Sequence, residues 1–386
     1  MNPAAWLSSA DRALALAADR IKVIRAVTPR NARSELASLE EDFRRGSPRS
    51  PRWEYDSTAI PVELCQALEG LSEFLDGVSP LGRIYAARAR EMCLEASIVD
   101  AVGTPQIRTP AARRFMGTSI DDKADLRKAD ELAKSWSDPS AIERDFEDGD
   151  DLVLTCDESD PRSLLAAMSR EAGRCKLPVR VVVEPSLASL AATGDGVIFV
   201  AAERWIRVRD VQRTVLHEIA GHALPRARAV SAPLGIFAFG TARGTDDQEG
   251  RALLIERAAG FLDGSRRREL GLRHLGARAT LDGATFVDVV ELLLEHRAPL
   301  GSAMRIASRV QRGGLGTGGL AREIIYIPSL LRVERLLFEP HGTGSSTRID
   351  EAMAGGRIAA DVAPLLAAAI AAEKTSAPSA PKRDMI

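Results

Sequence analysis

Apolar residues recur at helical spacing from Ala10 to Ala26, and Pro29 then stops the pattern. Val62 to Phe74 and Leu81 to Val99 repeat this behaviour, so residues 1–105 are expected to form an N-terminal helical layer. Residues 106–176 change character. The turn residues Gly103 and Pro105 lead into a charged stretch, Asp121 to Lys134, and an acidic run, Asp145 to Asp151. The stretch reads as a connecting region with an acidic loop. The run lacks the alternating oxygen ligands of a calcium loop and therefore reads as solvated.

Pro178 to Glu184 (PVRVVVE) is short and β-branched, and GVIFVAA follows from Gly196; these are the strong strand signals in the chain. Arg209 to Leu224 is helical in pattern, a loop runs to about Thr245, and four helical patterns extend from Gln248 through Leu337. The expected fold is α+β and predominantly helical, with a small sheet among helices. A core is assigned to residues 177–345, a C-terminal helix to 346–373 and a disordered tail to 374–386, where Pro, Ser and Ala dominate.

Composition narrows the partners. With 52 basic and 54 acidic side chains the net charge is -2, which excludes a general polyanion binder, so no nucleic acid is expected. Aromatic residues are only 4%, in keeping with helices filled by small aliphatic residues. The four cysteines, Cys65, Cys93, Cys156 and Cys175, stand far apart and point to a reducing compartment. Asp11, Arg12, Asp19 and Arg20 interrupt the first apolar pattern, and no apolar run reaches membrane-spanning length. A cytoplasmic location without a membrane partner is expected; the oligomeric state stays open.

Two of the five histidines stand in one helical pattern, VLHEIAGHAL, with a glutamate between them: His217, Glu218 and His222. Histidines four apart on a helix lie about 40° from each other around the axis and reach one metal together. Five apart, they lie roughly 140° from each other, unless a π-type turn absorbs one residue. Gly221 makes such a distortion cheap. A turn of that kind would bring the rings to one face, where Glu218 could deprotonate a metal-bound water. A catalytic zinc needs one more protein ligand, and a carboxylate on a neighbouring helix is the common supplier. Glu249 and Glu256 both qualify, seven apart on one face of TDDQEGRALLIERAAGF, whose start Asp246 or Asp247 could cap. One could ligate and the other orient a histidine.

These blocks resemble the QEGLA-motif proteins of bacteria, described as flavohemoglobin-expression-modulating, whose animal relatives are microtubule-associated tyrosine carboxypeptidases. HEIAGH at 217–222 is similar to that family's His-Glu-Ile-Gly-x-His segment, and TDDQEGRA at 245–252 to its Thr-x-x-Gln-Glu-Gly-Leu-Ala segment. Arg312, Gly313 and Gly314, followed by EIIYI with Tyr326, resemble its Arg-Gly-Gly and aliphatic-Tyr stretches. AVTPRNA at 26–32 is similar to its Thr-Pro-x-Asn pattern. The resemblance implies a zincin-like, zinc-dependent peptidase with Zn2+ on His217, His222 and Glu249 and with Glu218 as general base. It favours Glu249 as the ligand, leaving Glu256 to orient a histidine. Arg251 replaces the Leu of the family's name; about 200° from Glu249 around the helix, it should point away from the metal.

The implied substrate is a peptide or protein C-terminus, whose carboxylate Arg312 or Arg322 would hold and whose hydrolysis Tyr326 could assist by donating to an oxyanion. The alternative is a non-catalytic regulatory or scaffold protein that keeps a metal site. Gly314 to Gly319 formally matches Gly-x-Gly-x-x-Gly, but the helical pattern before it argues for a flexible glycine loop at the rim of the site rather than a dinucleotide site. His274, His296 and His341 read as surface histidines.

Overall fold

The structure, a computed structural model, describes residues 3–117, 119–138, 151–194, 196–338 and 345–368. The acidic run up to Asp150, His341 and the tail 374–386 lie outside the described residues. Among the described residues helices dominate, with two small sheets. No helix among the described residues is long and apolar enough to cross a membrane.

The sheets use five short strands: β1 (Leu152–Leu154), β2 (Arg180–Glu184), β3 (Ala191–Thr193), β4 (Val197–Ala201) and β5 (Trp205–Arg207). β2 pairs parallel with β4, and β3 pairs antiparallel with the other side of β4, so β3 is an edge strand. β1 and β5 form a separate antiparallel ribbon. Only β2 and β4 have enough residues to leave a pattern in the sequence. One apolar core joins Ile198 and Val200 of β4 to Leu164 and Met168 of the helix Leu164–Arg174 and to Val211, Ile219 and Ala223.

The helical pattern after Arg209 becomes three pieces in line: Val208–Leu216, a π-helix over His217–Ala223, and Leu224–Ala229. Ile219 and Ala223 of the π-helix pack into the core under the sheet, whereas His217 and His222 turn toward a neighbouring helix. That helix is Gly244–Ala258. A Cβ added at Gly221 would lie 2.6 Å from Cβ of Ala252, and one at Gly250 would lie 2.4 Å from the Ser329 carbonyl oxygen on the helix Tyr326–Phe338. Two glycines thus let three helices approach closely enough to share one polar cluster. Gly221 serves this approach as well as the π turn.

Several expectations are corrected. Five helices, not four, fall between 244 and 338: Gly244–Ala258, Gly264–Asp282, Phe286–Glu295, Leu300–Gln311 and Tyr326–Phe338. The charged stretch from Asp121 belongs to a helix, Ile120–Ser137, started by a reciprocal Ser119–Asp122 capping box. Asp246 and Asp247 do not cap their helix; they lie in its first turn and pair with Arg114 and Arg332 at 2.7 and 2.8 Å. His274 is fully buried against Asp130, 2.8 Å away, and His296 is half-buried. The glycine loop is pinned rather than loose. Tyr55 Oη accepts from the Gly313 amide and donates to the Gly314 carbonyl, both at 2.9 Å, and Gly314 and Gly319 have no space for a Cβ.

Candidate metal centre

The π-helix brings the His217 and His222 rings together, with their Nε2 atoms 3.2 Å apart. Glu249, from the middle of Gly244–Ala258, closes a triangle: its Oε2 lies 3.3 Å from His217 Nε2 and 3.5 Å from His222 Nε2. All three residues are buried. Two nitrogens bound tetrahedrally to one ion at about 2.0–2.1 Å stand about 3.3 Å apart, so the triangle has the size that a single shared ion requires. Glu249 Oε2 is also buried without a hydrogen bond of its own. An unpaired carboxylate oxygen facing two ring nitrogens suits a cation. The group could hold a metal ion, and its donor chemistry fits one.

The other ring nitrogens fix this arrangement. His217 Nδ1 lies 2.7 Å from Glu256 Oε1, and Glu256 is held in turn by Arg266 at 2.9 Å. His222 Nδ1 lies 3.2 Å from Gln248 Oε1, whose amide nitrogen donates to the Gly356 carbonyl. With both Nδ1 atoms so used, both Nε2 atoms face Glu249, and in the neutral imidazoles these would be the nitrogens free to ligate. Burial on its own would lower the His217 pKa, but the Glu249 and Glu256 carboxylates outweigh it and push it up to about 10. Burial would raise Glu256, yet Arg266 and His217 bring it down to about 2. Glu249 likewise stays ionised well below the usual carboxylate range, because the charges of His222 and Arg322 overcome its burial.

Glu218 sits apart from this triangle. Its Oε2 accepts a 2.7 Å hydrogen bond from Thr193 Oγ1 on β3. Arg322 donates to Glu249 Oε1 at 3.1 Å, so one of the two arginines proposed for substrate is engaged with the third corner of the triangle. Arg312 is half-buried beside Glu323, 3.8 Å away, and its buried Nε has no hydrogen-bond partner. Burial, helped by the charges of Arg309 and Arg322, outweighs Glu323 and lowers the Arg312 pKa to about 10. Tyr326 is buried with the Arg273 guanidinium 4.3 Å from its ring centroid; burial and the Glu249 charge raise its pKa. Arg251 turns away from the triangle, bonding Asp350 at 2.8 Å and the Ala220 carbonyl at 3.4 Å.

Sequence reasoning missed Thr193, which lies on a three-residue strand without a motif, and the Gln248 contact. Gln248 could have been found, since it stands three residues beyond Thr245 in the motif beside Glu249.

Fold and site together define a predominantly helical protein with small sheets and a buried two-histidine, one-glutamate cluster. The chain belongs to the MATCAP family, the microtubule-associated tyrosine carboxypeptidases, whose family model matches residues 40–383. This membership agrees with the motif blocks and supports a peptidase. No curated protein sequence matches the chain.

Proposed function

We propose that this chain is a zincin-like zinc metallopeptidase that trims the C-terminus of a protein or peptide. The observation that carries the reading is the triangle of His217 Nε2, His222 Nε2 and Glu249 Oε2, which lies inside the family-matched segment and has Glu218 directly after His217 in sequence. A zinc ion held by these three residues supplies Lewis acidity, which makes water a nucleophile near neutral pH and a carbonyl more electrophilic.

The chain's own groups divide the remaining work. Glu218 takes the proton of the attacking water and passes it to the leaving amine, while the Thr193 hydroxyl keeps its carboxylate oriented. Tyr326 keeps its proton at neutral pH and serves as a hydrogen-bond donor to the developing oxyanion. Arg322 holds Glu249 in place. Arg312, half-buried, with an unpartnered Nε and only a 3.8 Å approach to Glu323, reads the terminal carboxylate of the substrate. Residues 177–345 carry all of these groups and constitute the peptidase core.

The test compares free-acid peptides from a C-terminally randomised library with their C-terminal amides, read by mass spectrometry. Release of the last residue from acids, with amides slower by roughly thirtyfold or more, is expected when a charge-assisted contact worth about 2 kcal/mol is lost. Equal cleavage of both, at internal bonds, would make the protein an endopeptidase. A protein that takes up zinc and cleaves neither would be the metal-bearing scaffold.

A further inference from the structure

The glycine loop that follows Arg312 is held from a part of the chain far away in sequence. Gly313 has a φ of +85°, and a Cβ there would meet Ile107 at 2.6 Å and Val27 at 2.9 Å. Its amide donates to Tyr55 Oη, and the same hydroxyl donates to the Gly314 carbonyl, so one phenol closes the turn across 258 residues of sequence. The Gly313 carbonyl accepts from the Gly103 amide at 2.8 Å. A single turn is therefore fixed at three points directly beyond the Arg312 α-carbon.

Tyr55 is itself delivered by an irregular strap. Asn31 accepts from the Glu54 amide at 3.0 Å and donates to the Arg52 carbonyl at 2.8 Å, and the Arg30 amide donates to the Glu54 carbonyl at 2.8 Å. Trp53 packs edge-on against Phe286, whose amide donates to the Gly316 carbonyl. A Cβ at Gly316 would come within 2.9 Å of Ser50. Residues 50–55 thus run along the glycine loop and touch it at Gly316 and at Gly313–Gly314. The Thr-Pro-Arg-Asn block at 28–31 anchors the strap, and the Arg-Gly-Gly block at 312–314 receives it, which gives two motif blocks at opposite ends of the chain one joint purpose.

We propose that Tyr55 is a positioning residue: by closing the Gly313–Gly314 turn it sets the direction of Arg312 toward the terminal carboxylate of the substrate. The inference rests on the reading of Arg312 given above. A hydroxyl that acts through Arg312 affects capture of the chain end and leaves the zinc triangle and Glu218 unchanged.

The experiment uses the full-length, zinc-loaded protein and the variants Tyr55→Phe, Arg312→Ala and the double variant, each assayed on one free-acid peptide and its amide. Zinc content and melting temperature are measured alongside. Tyr55→Phe should raise KM for the free acid roughly tenfold, the scale of one hydrogen bond's worth of misplacement, with kcat and zinc content near wild type. It should leave amide cleavage unchanged and add no further loss to Arg312→Ala. A wild type that prefers the acid, combined with a Tyr55→Phe variant that is unaffected, loses kcat on acid and amide alike, or adds its full effect to Arg312→Ala, overturns the role of Tyr55 alone. A wild type that cleaves acid and amide equally removes the Arg312 reading, and this inference with it.

Discussion

The carboxylate of Glu218 bonds to Thr193, whereas His217, His222 and Glu249 face one another, so the proposed base and the proposed ligands can be altered independently. Glu218→Gln should keep its zinc and lose turnover by about 10²–10⁴-fold, the usual worth of a positioned general base. His217→Ala and His222→Ala should lose both zinc and activity, which elemental analysis beside a peptide assay will distinguish. Gln248 acts one step further out. Gln248→Met removes the acceptor on His222 Nδ1 at similar size, and zinc affinity should fall about 10–100-fold in a competition titration with a chromogenic chelator.

Between elements, the decisive contact is the approach of the π-helix to Gly244–Ala258 at Gly221 and Ala252. Gly221→Ala places two methyl groups 2.6 Å apart and should cost about 1–3 kcal/mol in denaturant unfolding. Adding Ala252→Gly should return part of that loss, because the clash is between these two side chains. Elements of this length and periodicity were the legible part of the chain: the spacing of His217 and His222 required an extra-residue turn, and the helix carrying Glu249 and Glu256 followed from its own period. The three-residue strands β1, β3 and β5 were not legible, since three residues cannot establish an alternation, and Thr193 was hidden with them. His274 and the glycine loop were misjudged for a different reason. Their environment comes from Asp130 and Tyr55, distant positions whose approach no local pattern records.

Across the molecule, a net charge near zero conceals charges paired deep inside. Glu323 is fully buried among Arg273, Arg309 and Arg312, Asp247 is buried against Arg332, and Asp246 against Arg114. Burial would raise the Glu323 pKa, but the three guanidiniums bring it down from 4.5 to about 2. A carboxyl whose pKa falls on folding adds stability that is complete above its unfolded value. That stability is lost as the pH drops from about 4.5 toward 2 and amounts to roughly 3 kcal/mol. Glu323→Gln should therefore flatten the stability–pH curve in that window. It should also destabilise the protein at pH 7 by about 3–5 kcal/mol, because the buried Arg273 and the partly buried Arg309 and Arg312 lose their shared counter-charge. Urea unfolding at a series of pH values will report both effects.

Zinc-dependent activity stands or falls with the triangle of two imidazole nitrogens and one carboxylate oxygen, with sides of 3.2, 3.3 and 3.5 Å. Its direct test is the zinc stoichiometry of the purified chain, stripped with chelator and titrated with zinc in a calorimeter. One tight site per chain, abolished by His222→Ala and retained by Glu218→Gln, is the predicted result. A chain that takes up no zinc, or takes it up equally well after His222→Ala, would contradict the account.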